Sequence, residues 1–195
     1  MIRWLTTCCA VMFLSFPMPA AAEDLHERSM VFDFSSGHLI RMKLAAGGYR
    51  IQGSTDDKVH VRLSSREITN LNKTWVKFTT DHGVGRLETK DAQKVDVVIA
   101  IPARTDLHVR LRAGELSIHG IEGHKDVAMT AGEINIDVAD PAAYGPVMAS
   151  VRIGELNARA FQVSKDGFFR SFKQTGPGTY GFRATLGVGE INIQR

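Results

Sequence analysis

The feature that most constrains this chain is a ten-residue pattern centred on a Gly-Glu pair, which occurs four times clearly and once in a looser form. The glycines of the clear copies are Gly114, Gly132, Gly154 and Gly189, and that of the looser copy is Gly47. Apolar residues stand five, three and one positions before each glycine and two and four positions after it. The chain therefore repeats one structural unit.

Alternation of apolar and polar residues on each side of the glycine predicts a strand with one buried face. The apolar residue before the glycine and the next apolar residue after it are three positions apart, which is an odd number. The alternation therefore breaks at the glycine, and the chain must turn there. Glycine suits such a corner because it adopts backbone conformations that other residues resist, including positive φ. We expect the apolar residues two positions after the glycines to occupy equivalent inward sites; they are Leu116, Ile134, Leu156 and Ile191.

Strand pairs that recur at this spacing predict an all-β fold. The clear glycines follow one another after 18, 22 and 35 residues, and no helical pattern lies between them. Strands recurring about every 20 residues are typical of a parallel β-solenoid or β-helix, in which each coil supplies its own crossover. An antiparallel β-sandwich is the alternative, since short strands with turn signals also permit it. Further strands are predicted at 59–63, 75–78 and 95–101.

The beginning of the chain reads as a signal peptide over residues 1–22. A basic residue, a short apolar run, two prolines and three alanines precede Glu23 in the order that export signals show. The apolar run is too short to span a bilayer, and no later stretch approaches the roughly 20 residues required. Residues 23–195 are predicted to form a single repetitive β domain, with clear repeats at 107–195, the looser copy at 37–53 and a candidate cap or flap at 164–183.

Export implies a periplasmic or extracellular location. Both cysteines, Cys8 and Cys9, lie in the signal segment, so the mature chain would have no thiol and no disulfide framework. The formal net charge is only +3 for the whole chain. This near-neutral balance argues against nucleic acid or an anionic membrane as a partner.

No constellation of residues predicts catalysis or a cofactor. The histidines are scattered without a close pair and third ligand, which a zinc site would need. No serine stands in a nucleophile elbow, and Gly83-Val84-Gly85 lacks the strand-to-helix context of a phosphate loop. We therefore expect no enzyme and no cofactor.

An acidic column is the sharpest chemical feature. One repeat position is acidic in every clear copy, at Glu115, Glu133, Glu155 and Glu190. On stacked strands these carboxylates would lie about 4.8 Å apart, a spacing that also resembles the carboxylate pair of retaining glycosidases. They could hold a divalent cation such as calcium. However, two charges at this distance in water repel by only about 1 kcal/mol, so we favour a solvated ladder, with the metal site as the weaker hypothesis.

Aromatic residues cluster in the long interval between the last two glycines. The cluster is Phe168, Phe169, Phe172 and Tyr180. A cap over an exposed strand edge is one interpretation, because such edges invite aggregation. A docking patch for another envelope component is the other.

The layout resembles a bacterial family of exported "putative adhesin" domains of unknown function. The resemblance lies in Ile101-Pro102-Ala103-Arg104-Thr105-Asp106-Leu107, in Gly114-Glu115-Leu116-Ser117-Ile118, in Gly120-Ile121-Glu122-Gly123 and in the Gly-Glu-Ile-Asn copies, and it covers roughly residues 37–195. It implies a β-solenoid-like fold outside the inner membrane and brings no catalytic residues.

The expected function is that of an exported, non-catalytic adhesin-like or interaction protein of the bacterial envelope. Its partner would be an envelope protein or a cell-surface glycan, and its oligomeric state is left open. The alternatives are a carbohydrate-active enzyme on a β-helix scaffold and a purely structural or stress-related envelope protein. A concave site with non-repeating acids and aromatic residues would favour the enzyme.

Overall fold

The computed structural model describes residues 25–195, so the predicted signal peptide lies outside the described residues. This part of the chain forms twelve strands: β1 (His26–Asp33), β2 (Leu39–Leu44), β3 (Gly47–Ser54), β4 (Lys58–Ser65), β5 (Trp75–Asp81), β6 (Val84–Lys90), β7 (Asp96–Pro102), β8 (Asp106–His119), β9 (Lys125–Asp137), β10 (Tyr144–Ala158), β11 (Val163–Gln174) and β12 (Tyr180–Gln194). One short α-helix, α1 (Ile68–Lys73), was not predicted, because six residues are too few to show a helical period. Two single-turn 3-10 helices, Pro141–Ala143 and Arg159–Phe161, flank β10. No helix of residues 25–195 is long and apolar enough to cross a membrane.

All twelve strands belong to one mixed, largely parallel sheet. Its main path runs β1-β4-β7-β3-β8-β9-β12-β10-β11, while β2 pairs with β6 and β8, and β5 pairs with β6. The central pairs are parallel, and the antiparallel pairs β1–β4, β4–β7, β5–β6 and β10–β11 lie toward the ends. The all-β prediction is confirmed, and the strands predicted at 59–63, 75–78 and 95–101 fall in β4, β5 and β7.

Each long strand bends at its repeat glycine. In β8 the residues before Gly114 pair with β2, whereas those after it pair with β3. Leu111 and Leu116 are both buried in one core although they are an odd number of residues apart. A flat strand would place them on opposite faces, so the sheet folds over along the line of glycines.

We call the part of the sheet before the glycines the first half and the part after them the second half. The first half contains β2, β5, β6 and the leading parts of β8, β9, β10 and β12, and the second half contains β1, β3, β4, β7 and the trailing parts of the long strands. The halves face each other across the core. The hydroxyl groups of Tyr49 in β3 and Thr89 in β6, for example, lie 2.7 Å apart inside it.

The glycines adopt the conformation that the corner requires. The φ angles are 129° at Gly114, 127° at Gly132, 130° at Gly154 and 130° at Gly189. These values lie in a region that residues with a Cβ atom rarely enter. The prediction of glycine corners with positive φ is confirmed.

The predicted β-solenoid goes further than this sheet supports. The sheet is not closed, and β12, the last strand, lies between β9 and β10 instead of beyond β10. Consecutive coils of a regular solenoid would stack in sequence order. The inward row is present as predicted, but its order in space is Leu116, Ile134, Ile191, Leu156. Most of the candidate cap forms β11, an antiparallel edge strand beside β10.

Candidate functional site

The outer face of the first half of the sheet is predominantly basic. Its side chains point away from the core because they alternate with buried residues along each strand. The basic residues at these positions are Lys77, Arg86, Lys90, Arg41, Lys43, Arg110, Arg112, Arg183, Arg152 and Lys173. The acidic residues there are Asp81, Glu88, Asp106 and Asp126. We call this surface the basic face.

The outer face of the second half carries the opposite charge. Its acidic residues are Glu27, Asp33, Asp96, Glu115, Glu133, Asp137, Glu190, Glu155 and Asp166. Lysine and arginine are fewer there, at Lys58, Arg62 and Arg50. The nearly neutral chain is therefore divided into two faces of opposite sign, which the net charge of the sequence conceals.

Part of the basic face is concave. The floor is one row of short side chains in register on four neighbouring strands, namely Ala128, Thr185, Ser150 and Ser171. A depression of about 550 Å³ lies over Thr185, Ser150 and Ser171 of this row, and a second of about 450 Å³ lies beside the row, over the side chains two positions away on the same strands. Arg152 and Phe169 border the larger depression, and Arg183 and Lys173 border the smaller one. We call this concave strip the trough.

One carboxylate in the trough is already neutralised. Arg110 donates two hydrogen bonds to the carboxylate oxygens of Asp126, at 3.1 and 3.0 Å, and His108 lies 3.4 Å from the same carboxylate. Burial raises the pKa of Asp126, but the hydrogen bond and charge of Arg110 lower it more, so it lies below its ordinary value. Burial, followed by the charge of Arg110, lowers the pKa of His108. The positive charge of the trough therefore comes from its arginine and lysine side chains.

The predicted acidic column exists as a row of neighbours. Its order across the strands is Glu115, Glu133, Glu190, Glu155, and Asp166 of β11 extends it by one strand. Asparagine side chains support two of the carboxylates: Asn135 donates to Glu133 at 2.8 Å and Asn157 donates to Glu155 at 2.7 Å. Among residues 25–195 no three His, Cys, Asp or Glu side chains are grouped so that they could hold a metal ion. The cation hypothesis for this column stays a prediction.

The predicted aromatic cluster divides into two environments. Phe172 is buried, with its ring centroid 5.8 Å from that of Phe161. Tyr180 packs against Tyr144 at 6.0 Å between ring centroids. Phe168 and Phe169, by contrast, are 68% and 79% exposed. The four rings do not form one patch, and of the four only Phe168 and Phe169 are exposed enough to meet a partner.

An exposed apolar row follows the bend of the sheet. Ile153 pairs with Phe168 on one side and with Val188 on the other. Ile153 is 41% exposed and Val188 is 48% exposed. The expectation that residues one position before the glycines face the core is therefore wrong, because the bend turns these positions outward. The row separates the basic face from the acidic column.

Sequence reasoning missed a buried lysine. Lys125 is 1% exposed and lies between Leu107 and Phe182 in another inward-facing row, seven positions before the repeat glycines. Its ammonium group donates to the carbonyl oxygen of Ile121 at 2.8 Å and to the hydroxyl of Tyr144. Burial lowers the pKa of Lys125 to about 8 and raises the pKa of Tyr144 to about 12. The available signal was a lysine standing where other copies of the repeat have an apolar residue.

Comparison of the sequence with protein-family models and with curated proteins finds no match. The fold is similar to a crystal structure described as a "putative cell adhesion protein" from Clostridium sporogenes, with a TM-score of 0.56, 15% identity, and coverage of 88% of this chain and 99% of that one. A "putative adhesin" from Parabacteroides merdae also matches, with a TM-score of 0.28, 14% identity, and coverage of 60% and 53%. The first likeness shows the fold, and the resemblance to bacterial adhesin structures is confirmed at that level.

Proposed function

We propose that the protein is an exported, non-catalytic, adhesin-like binding module of the bacterial envelope, and that the basic face is its contact surface. The observation that carries this proposal is the separation of charge onto two faces of one sheet. A surface with charge of one sign attracts partners that carry the opposite charge and repels partners that carry the same charge. The structural likeness to a protein described as a cell adhesion protein supports the same class of function.

The repeat serves this function by aligning equivalent positions on neighbouring strands. β8, β9, β12 and β10 are parallel and in register from before the glycine to the end of each strand. Side chains at one repeat position therefore form a row with a spacing of about 4.8 Å. From this register we infer a solenoid-like winding of the chain. Such a winding converts the sequence repeat into an extended surface of equivalent side chains.

Export is tested by expressing the full chain in a bacterium and fractionating the cells. We expect the protein in the periplasm or the medium, with a mature chain that begins at or near Glu23 and contains no thiol. Mass spectrometry of the intact protein measures both properties. Recovery of an uncleaved chain in the cytoplasm would contradict the proposal.

Contact through the basic face is tested by sedimentation with washed cell envelopes. We expect the purified protein to sediment with envelopes at low salt and to be released at high salt, because salt screens exposed charges. The double variant Arg41→Gln/Arg112→Gln should reduce sedimentation. The matched control is Arg50→Gln/Arg62→Gln, which removes the same charge from the opposite face. Equal loss in both variants would refute a role specific to the basic face.

A further inference from the structure

The trough on the basic face is bordered by cationic side chains. Arg152 stands on the side near the bend, and Arg183 and Lys173 stand on the other side. Arg112 extends the first side onto β8, where it borders a further depression of about 350 Å³ that shares Met129 and Thr130 with the larger one. Within residues 25–195 none of these four side chains makes a hydrogen bond or an ion pair, although the charge of Arg183 acts on the Asp126 carboxylate. Arg110, in contrast, is held by Asp126. Arg112, Arg152 and Lys173 thus have no internal partner among the described residues, and Arg183 has only the carboxylate of Asp126, which Arg110 already holds by two hydrogen bonds.

The floor of the trough offers hydroxyl groups. The side-chain hydroxyls of Thr185, Ser150 and Ser171 in the floor, and of Thr130 beside it in the larger depression, make no hydrogen bond within the described residues. Each hydroxyl can donate one hydrogen bond and accept two. A ligand that lies on this floor would therefore meet polar groups as well as charge, and a polyol matches such a surface better than an apolar chain does.

The dimensions of the trough indicate an extended ligand. The floor spans three strand-to-strand steps from β9 to β11, and Arg112 on β8 adds a fourth, so the cations from Arg112 to Lys173 extend over about 19 Å. The cations are spread over that length and do not converge on one point, as they would for a single phosphate or sulfate. Phe169, 79% exposed at the rim, adds one apolar ring face. Single-stranded nucleic acid sites rely on several stacking rings, which this trough lacks.

We propose that the trough binds a linear anionic polysaccharide that carries carboxylate groups. Carboxylates pair with Arg112 and Arg152 on one wall and with Arg183 and Lys173 on the other, and the floor hydroxyls donate to and accept from the sugar hydroxyls. Arginine suits this role because its planar fork matches a carboxylate with two parallel hydrogen bonds. This inference rests on the proposed function and specifies its ligand class.

The test is a titration with polygalacturonate, a carboxylated linear polysaccharide. The sample is the mature protein, purified after the full chain has been expressed and exported. The double variant Arg152→Gln/Arg183→Gln should weaken binding by about tenfold or more, because each arginine loses a charge-assisted contact. Arg50→Gln/Arg62→Gln, which removes two charges from the opposite face, should change the affinity less than twofold. Equal weakening by the two variants would overturn the proposal.

A steric variant tests the trough without changing its charge. Thr185→Phe places a large ring on the floor at an outward strand position, where aromatic residues are well tolerated. It should abolish polygalacturonate binding while circular dichroism and the melting temperature stay those of the parent. Unchanged binding by this variant would place the ligand elsewhere and overturn the proposal.

Three further probes separate this proposal from its rivals. Dextran, a neutral polysaccharide, should not bind, and polyglutamate or single-stranded DNA should bind more weakly than polygalacturonate. Equal or tighter binding of polyglutamate or DNA would assign the trough to an acidic protein or to nucleic acid. If envelope binding depends on the basic face but polygalacturonate does not bind, the ligand class is wrong and the proposed function stands. If envelope binding is also absent, both fail.

Discussion

The carbonyl oxygen of Gly114 occupies the space that a Cβ atom on Gly132 would need. The same relationship holds between Gly47 and Gly114, between Gly132 and Gly189, and between Gly189 and Gly154. Neighbouring backbones therefore approach closely all along the bend. Glycine is required there both for its positive φ and for this close approach.

Gly132→Ala should lower the free energy of unfolding by more than about 2 kcal/mol, because strain at positive φ adds to overlap with a backbone carbonyl. Gly37→Ala is the matched control: its φ is 78° and no atom lies within 4 Å of its added Cβ, so only the strain remains. Thr130→Val, at an exposed strand position, should change stability by no more than about 0.5 kcal/mol. Urea unfolding measures all three. If Gly132→Ala and Gly37→Ala cost the same, the neighbouring backbone yields to the Cβ and the argument is wrong.

Two apolar residues of β10 should respond differently to truncation. Leu156 is fully buried, so Leu156→Ala should destabilise the protein by about 2–5 kcal/mol. Ile153 lies on the exposed apolar row, so Ile153→Ala should cost less than about 1 kcal/mol. Thermal or urea unfolding of both variants is the measurement. A comparable loss in both would mean that the row along the bend is covered in solution.

Lys125 should make stability depend on pH above neutrality. Its pKa is about 8 in the folded protein, below its ordinary value of 10.5. Between these values the unfolded chain binds more protons, so the free energy of unfolding rises with pH, by about 2 kcal/mol from pH 8 to pH 10. Above pH 10 the stability should fall again, because the pKa of Tyr144 is raised to about 12 and the unfolded tyrosine ionises first.

The control for this prediction is Lys125→Met. Methionine has similar length and does not titrate, so the rise between pH 8 and pH 10 should disappear while the fall above pH 10 remains. Tyr144→Phe should instead reduce the fall. Urea unfolding across this pH range measures both effects. Persistence of the full rise in Lys125→Met would assign it to other groups.

The acidic column is predicted to be a solvated ladder. Replacing Glu115, Glu133, Glu155 and Glu190 with glutamine should preserve the fold, since glutamine can still accept the asparagine hydrogen bonds. Stability should rise slightly at low salt, where like charges on neighbouring strands are least screened. Melting curves with calcium and with a chelator, on the parent and on the variant, are the measurement. A calcium-dependent rise in the melting temperature of the parent alone would establish a metal site here.

The charge separation was partly visible in the sequence. Arg112 and Glu115 stand on the two sides of Gly114, and Arg152 and Glu155 stand on the two sides of Gly154. Each pattern puts a base before the corner and an acid after it. The net charge hides this because bases and acids nearly cancel, and only the bend of the sheet shows that they lie on different faces.

Sequence alone determined the unit: the strands on both sides of each glycine, the positive φ at the corner and the equivalence of Leu116, Ile134, Leu156 and Ile191. These properties are local, since they follow from alternation within ten residues and from the conformational freedom of glycine. Only the tertiary structure decided that β12 lies between β9 and β10, that β11 pairs antiparallel at the edge and that small residues on four strands form the trough. The copies present almost the same edges and the same apolar rows, so local pattern fits more than one strand order, and the choice depends on packing between residues far apart in the chain.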